Sequence, residues 1–167
     1  MKIKAKRLTD TAILPTYGSK CAACADLYAD LSPHCIDLNP DAEIRNESGD
    51  DNAPFQRVGI APHSTVKIPT GWAFQPPSGY AGFIYARSGL STKKGLRPGN
   101  CVGVCDEDYT SEYIVALHND TDETQIINHG DRIAQVEFRP YAQADFELVD
   151  ELDETERGDG AFGSTGV

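Results

Sequence analysis

Gln125-Ile126-Ile127-Asn128-His129-Gly130-Asp131-Arg132-Ile133-Ala134-Gln135-Val136-Glu137-Phe138 sets two apolar, β-branched runs on either side of a short turn. His129-Gly130-Asp131 joins the two runs, and glycine accepts backbone angles that other residues resist. The stretch predicts strands at 125–128 and 132–138. The same reading spreads outward. Upstream, Tyr113 to Leu117 is a compact apolar strand, followed by a polar turn at Asp120 to Glu123. Strand signals also fall on Lys2 to Leu8, Leu27 to Leu31, Thr65 to Pro69, Gly71 to Gln75 and Tyr80 to Ala86, with a turn at Pro76-Pro77-Ser78-Gly79. Leu90 to Lys94 predicts a helical turn closed by Gly95. Phe146 to Val149 reads as the last strand. No internal repeat and no helical periodicity of three turns is present. The chain is therefore expected to be all-β, an antiparallel sandwich or barrel with one short helix.

The 167 residues fit one domain with a real core. Glycine (15) and proline (10) are plentiful, which suits many short strands. A formal net charge of −11 repels nucleic-acid backbones and argues against polymeric DNA or RNA as a partner. An anionic small substrate then needs local help from arginines, backbone N–H groups or a divalent cation. The five cysteines, Cys21, Cys24, Cys35, Cys101 and Cys105, are an odd number, and Met1 to Lys6 has no apolar export signal. No apolar stretch is long enough to span a bilayer. A soluble cytoplasmic protein of a reducing compartment, without membrane partners, is expected.

Two segments differ from the rest. Residues 37–56 are polar, acidic and turn-rich, and read as a surface insertion. After a β domain over 1–149, residues 150–167 form an acidic hinge, Asp150 to Glu156, and a glycine-rich arm, Arg157-Gly158-Asp159-Gly160-Ala161-Phe162-Gly163-Ser164-Thr165-Gly166. The arm is either a disordered terminus or a cover for a ligand.

Four segments carry chemistry. In Ala86-Arg87-Ser88-Gly89-Leu90-Ser91, an arginine, a hydroxyl and a glycine meet where a strand gives way to a helical turn. Such N–H groups bind phosphate and Arg87 adds a bidentate charge, although an ordinary capped turn reads the same way. Gly99 to Tyr109 reads as an apolar hairpin with an amide, Asn100, at one end and Asp106 and Tyr109 at the other. Asn100 suits a base edge, Asp106 a water, and Tyr109 a sugar face; a plain hairpin with a polar turn is the alternative. Gly130 to Gln135 places Arg132 and Gln135 near polar partners, or in a structural salt bridge. The arm exposes N–H groups beside Arg157 but is no Walker-type loop.

In this order, Cys21-Ala22-Ala23-Cys24-Ala25-Asp26-Leu27, Arg87-Ser88-Gly89-Leu90, Asn100 through Glu112, Gly130 through Gln135 and Arg157 through Gly166 resemble the five motifs of the trimeric dUTPase family. The resemblance covers nearly the whole chain except 37–56. It implies a jelly-roll-like fold, a homotrimer with shared active sites, and a mobile C-terminal arm that covers a site. The implied reaction is hydrolysis of dUTP to dUMP and pyrophosphate with Mg²⁺, which limits uracil in DNA and supplies dUMP for thymidylate synthesis. By the same resemblance Asp106 would be catalytic, positioning the attacking water. Asn100 and the backbone at Gly103 would read uracil, and Tyr109 would lie on the deoxyribose. Arg87, Ser88, Gly89 and Gln135 would hold phosphates. Arg157, Gly163, Ser164 and Thr165 would reach the outer phosphates, with Phe162 stacked on uracil. Asp26 would hold magnesium through water, with Arg132 as its ion-pair neighbour.

Cys24, Ala25, Ala86, Thr110-Ser111 and Ala161 depart from the usual motifs, but none removes a charged or hydrogen-bonding group named above. A dCTP deaminase of the same fold would need a glutamate where Ala116 stands. A non-catalytic regulatory protein on this fold, with 37–56 as a partner loop, is the rival of another class. The cysteine spacing does not match a zinc site, so buried thiols are expected. His34, His63, His118 and His129 read as surface or turn residues.

Overall fold

A computed structural model describes residues 1–31, 38–39, 44–45, 57–158 and 160. Twelve strands are present among them: β1 (Lys4–Arg7), β2 (Thr16–Tyr17), β3 (Ala25–Tyr28), β4 (Ile44–Arg45), β5 (Arg57–Ile60), β6 (Thr65–Gln75), β7 (Tyr80–Tyr85), β8 (Leu96–Pro98), β9 (Val102–Cys105), β10 (Glu112–Asn119), β11 (Gln125–Asn128) and β12 (Arg132–Pro140). One helix, α1 (Ser88–Lys94), follows β7 and ends at Gly95, whose φ of 63° makes the left-handed cap. The strands form three sheets in the orders β1-β6-β10-β8, β11-β5-β4 and β2-β3-β12-β7-β9, with every pairing antiparallel.

All three sheets feed one core. Ile68, Val115 and Leu117 come from the first, Val58, Ile60 and Ile127 from the second, and Leu27, Ile133 and Val136 from the third, each almost wholly buried. On β10 the burial alternates along the strand, so Tyr113, Val115 and Leu117 face inward. Successive strands often switch sheets. β11 and β12 lie in different sheets although only His129 to Asp131 separate them.

Several expectations are corrected. Thr65 to Pro69 and Gly71 to Gln75 are one strand, β6, rather than two. Pro69 fits because β1 pairs only with the 72–75 half. Gly71 takes φ +70°, and its N–H is received at 2.6 Å by Glu112 Oε1 where the β10 register shifts. Residues 99–109 are not a hairpin: β8 pairs with β10 and β9 with β7, and Cys101, at φ +62°, turns the chain between the sheets. Phe146 to Val149 is not a strand. Phe146 is 89% and Leu148 99% exposed, for β-propensity makes no strand without a partner edge. The third strand begins at Ala25, not Leu27. His118 sits within β10, bonded to Thr65 Oγ1 at 2.9 Å, rather than in a turn.

The 37–56 segment, His34 and Cys35 lie largely or wholly outside the described residues. Where 37–56 is described, it is tied to the body. Ile44 and Arg45 pair with Val58 and Arg57, and the Asn39 amide bonds both the C=O (2.7 Å) and N–H (2.8 Å) of Lys67.

Gly71 supplies a stability prediction. A Cβ there would collide with Ala12 and lie 2.6 Å from Asp30 Oδ2, in a backbone conformation L residues resist. Asp30 is itself buried and receives the Thr9 and Thr11 hydroxyls. Gly71→Ala is expected to cost about 2–4 kcal/mol in denaturant unfolding. Gly89→Ala, with nothing within 4 Å, is the control. Equal stability of the two variants would refute this account of the bend.

Candidate active site

Two clefts collect Arg87, Gly89, Asn100, Gly103, Asp106 and Tyr109 from among the candidate residues. The first, of about 270 Å³, lies where β7 runs into α1 and is lined by Arg87, Gly89, Leu90, Lys94, Asp131 and Arg132. Asp26 on β3 organises it. Asp26 Oδ1 accepts from Arg87 Nε at 2.7 Å and Oδ2 from Arg132 Nη1 at 3.1 Å. The Arg87 fork also reaches the Arg132 carbonyl at 3.1 Å. Register explains the meeting: Asp26 pairs with Gln135 across β3 and β12, and Gln135 pairs with Tyr85 across β7. Gln135 Nε2 then donates to the Ala86 carbonyl at 2.9 Å, which leaves its second N–H for a ligand.

Arg87 precedes α1 with extended backbone and no side-chain cap, so its guanidinium is used for the ion pair. Ser88 and Gly89 are exposed. The fold does not demand glycine at Gly89, where an added Cβ meets nothing within 4 Å. Charge balance in this cleft is informative. Asp26 and Asp131 offset Arg87 and Arg132, so Lys94 is the cation left over, with no ion pair among the described residues. Lys94 and Asp131 were not singled out by sequence, although Lys94 lies seven residues after Arg87, on a similar helical bearing.

The second cleft, about 210 Å³, is walled by Ile84, Asn100, Gly103, Asp106, Tyr109 and Ile114, with Val104 and Cys105. The Asn100 amide is exposed and makes no hydrogen bond among the described residues. Gly103 is tight: a Cβ would come within 3.2 Å of both Asn100 Nδ2 and Ile84 Cβ. Asp106 is exposed just past the end of β9, and its carbonyl accepts the Tyr109 N–H at 3.1 Å. That turn presents the Tyr109 ring, whose hydroxyl donates to the Glu112 carbonyl at 2.8 Å. Cys105 lies beneath. Burial pushes its thiol up to about 11, so it is neither a thiolate nucleophile nor a ready metal ligand. Cys21, Cys24, Cys101 and Cys105 are all free, but against the expectation of buried thiols only Cys105 is buried, with Cys21 and Cys101 exposed.

The two clefts share no lining residue. Arg157 is exposed. Phe162, Gly163, Ser164 and Thr165 lie outside the described residues.

A protein-family model described as dUTPase matches residues 53–166. A deoxyuridine 5'-triphosphate nucleotidohydrolase of Desulfitobacterium hafniense is 41% identical over 168 aligned positions, covering 100% of this chain and 96% of the relative. Its counterpart in Legionella pneumophila is 38% identical, covering 99% and 95%. Among solved structures, Staphylococcus bacteriophage 80alpha dUTPase with dUPNHPP superposes with a TM-score of 0.76 at 23% identity, covering 99% of both chains. A mutant dUTPase of phage phi11 of S. aureus, described with a structural Mg(II) ion, gives 0.70 at 19% identity, covering 92% and 100%. The β architecture is thus that of the solved dUTPases, and with full-length relatives at about 40% identity the chain belongs to the dUTPase family.

Proposed function

We propose that this protein hydrolyses dUTP to dUMP and pyrophosphate, as a homotrimer whose sites are shared between chains. The observation that carries the reading is the division of labour between the clefts. One is built from guanidiniums, an ammonium and an exposed glycine, as a triphosphate requires. The other has a free amide, a glycine held close to it, an aromatic face and an exposed carboxylate, as a nucleoside and a water require. In the trimer, the phosphate-type cleft of one chain meets the base-type cleft of another.

Asn100 and the Gly103 backbone select uracil, because cytosine presents its donor and acceptor reversed and would leave buried groups unpaired. Tyr109 packs on deoxyribose. Arg87, Ser88, Gly89 and Gln135 hold the phosphates, and Arg157, Phe162, Gly163, Ser164 and Thr165 close over them from the 150–167 arm. Asp106 aligns the attacking water and takes its proton. The α-phosphorus–oxygen bond to pyrophosphate breaks without a covalent enzyme intermediate.

Magnesium fits this donor set only through water. Both oxygens of Asp26 already accept from guanidiniums, yet each keeps a further lone pair, and no cluster of three ligating side chains exists among the described residues. A Mg²⁺ ion bound mainly by phosphates keeps several waters, which matches Asp26 as an outer ligand. When bound, the ion withdraws charge from the α-phosphate. Deamination is disfavoured because β10 offers the second cleft Ile114, and the position a deaminase base would need is Ala116.

Pyrophosphate release from dUTP, dCTP, dTTP and UTP, with Mg²⁺ and with EDTA, tests the reading. Release from dUTP alone, lost in EDTA, is expected; no release from any would overturn it. A solution mass other than three chains would overturn the trimer. Lys94 adds a finer test. Lys94→Gln should raise KM for dUTP roughly three- to tenfold at low salt, with kcat within about twofold and a flatter salt dependence. Lys6→Gln, an equal charge change on β1, should leave KM alone. Equal KM values in the two variants would remove Lys94 from the site.

A further inference from the structure

We propose that Glu107 is a positioning residue, which clasps the loop bearing Asp106 and Tyr109 to the Ser78–Gly79 turn and to Tyr141 just past the end of β12. The inference rests on the proposed role of Asp106. Glu107 Oε2 accepts the Gly79 N–H at 2.5 Å, and Ser78 Oγ donates to Oε1 at 3.2 Å. The Tyr141 hydroxyl faces the same carboxylate. Three chain segments meet there: the turn between β6 and β7, the exit of β9, and the exit of β12. The Tyr141 N–H also reaches the Gly79 carbonyl at 3.2 Å.

The chemistry suits a carboxylate in particular. Gly79, Ser78 and Tyr141 all present donors, and an ionised carboxylate only accepts. These bonds hold the Glu107 carboxyl below its ordinary range, first through the Gly79 N–H, so it remains ionised. Gly79 is fitted to its part by conformation. Its φ is +81°, and an added Cβ would meet nothing within 4 Å. Glu107 is adjacent to Asp106 in sequence, so a slack clasp lets the water-aligning carboxylate drift. Glu107 also joins the exposed stretch that follows β12 to the loop bearing Asp106 of the same chain.

Glu107→Ala, Glu107→Gln and Tyr141→Phe test this in the full-length protein beside wild type. Glu107→Ala should lower kcat about ten- to a hundredfold, since small misplacements of a catalytic group cost that much, with KM and melting temperature little changed. Glu107→Gln keeps one acceptor for Gly79 and should recover part of the loss. Tyr141→Phe should show a smaller loss that vanishes in the Glu107→Ala background. Amide exchange of residues 105–110 should quicken about tenfold in Glu107→Ala, while that of Val66 to Ile68 stays unchanged. Turnover within twofold of wild type, or unchanged exchange at 105–110, overturns the clasp. A wild-type protein that does not cleave dUTP overturns the proposed function instead, and the exchange measurement still decides the clasp.

Discussion

Asp106→Asn is expected to lower dUTP turnover by about three orders of magnitude while dUTP still binds, because general-base assistance is typically worth 10²–10⁴-fold. The geometry makes the prediction specific. Asp106 is exposed at the mouth of the second cleft, and no described hydrogen bond makes its carboxylate a structural group. Asparagine keeps the shape and one acceptor oxygen, so the turn to Tyr109, made through the Asp106 carbonyl, survives. What is lost is the second acceptor oxygen and the capacity to take a proton. Steady-state turnover and equilibrium binding of a non-hydrolysable dUTP analogue separate the two effects. Wild-type-like turnover would end the assignment. Loss of binding together with turnover would make Asp106 a sugar ligand and no more.

Removal of residues 157–167 should cut turnover about a hundredfold or more, the scale of losing a closure that orders phosphates and expels water. Folding should be nearly untouched. No described residue after β12 belongs to the buried core, and 141–158 are exposed throughout. Thermal unfolding and kcat/KM measured on the same truncated protein give the answer. An unchanged rate would make the arm an idle terminus. A lost melting transition would mean that it contributes to the fold of the assembly. A narrower variant, Arg157→Ala, should fall between wild type and the truncation, because one charge-assisted phosphate contact is removed and the rest of the arm remains.

These experiments differ in what they take from sequence. The order of the motifs marked Asp26, Arg87, Asn100, Asp106, Tyr109 and Gln135 without any coordinates, since each chemistry needs a particular side-chain type. Lys94 and Asp131 escaped notice because a lysine on a short helix and an aspartate in a turn have ordinary solvent roles; only the cleft gives them another. Glu107 escaped for a different reason. Its three donors sit at residues 78, 79 and 141, and no local pattern connects those numbers.

The all-β class, the short helix closed by Gly95, the strands β7, β11 and β12 and the family were determined by the sequence itself, because turn chemistry, side-chain alternation and motif order are local or linear properties. Tertiary structure alone decided that β6 runs unbroken through Pro69 and bends at Gly71, that 99–109 crosses between sheets, and that 146–149 pairs with nothing among the described residues. It also decided that Arg87 joins the Asp26–Arg132 ion pair, which the motif resemblance already implied. Strand pairing brings together residues as far apart as Asp26 and Arg132, separated by 106 positions, and neither propensity nor spacing encodes which edge a strand will find.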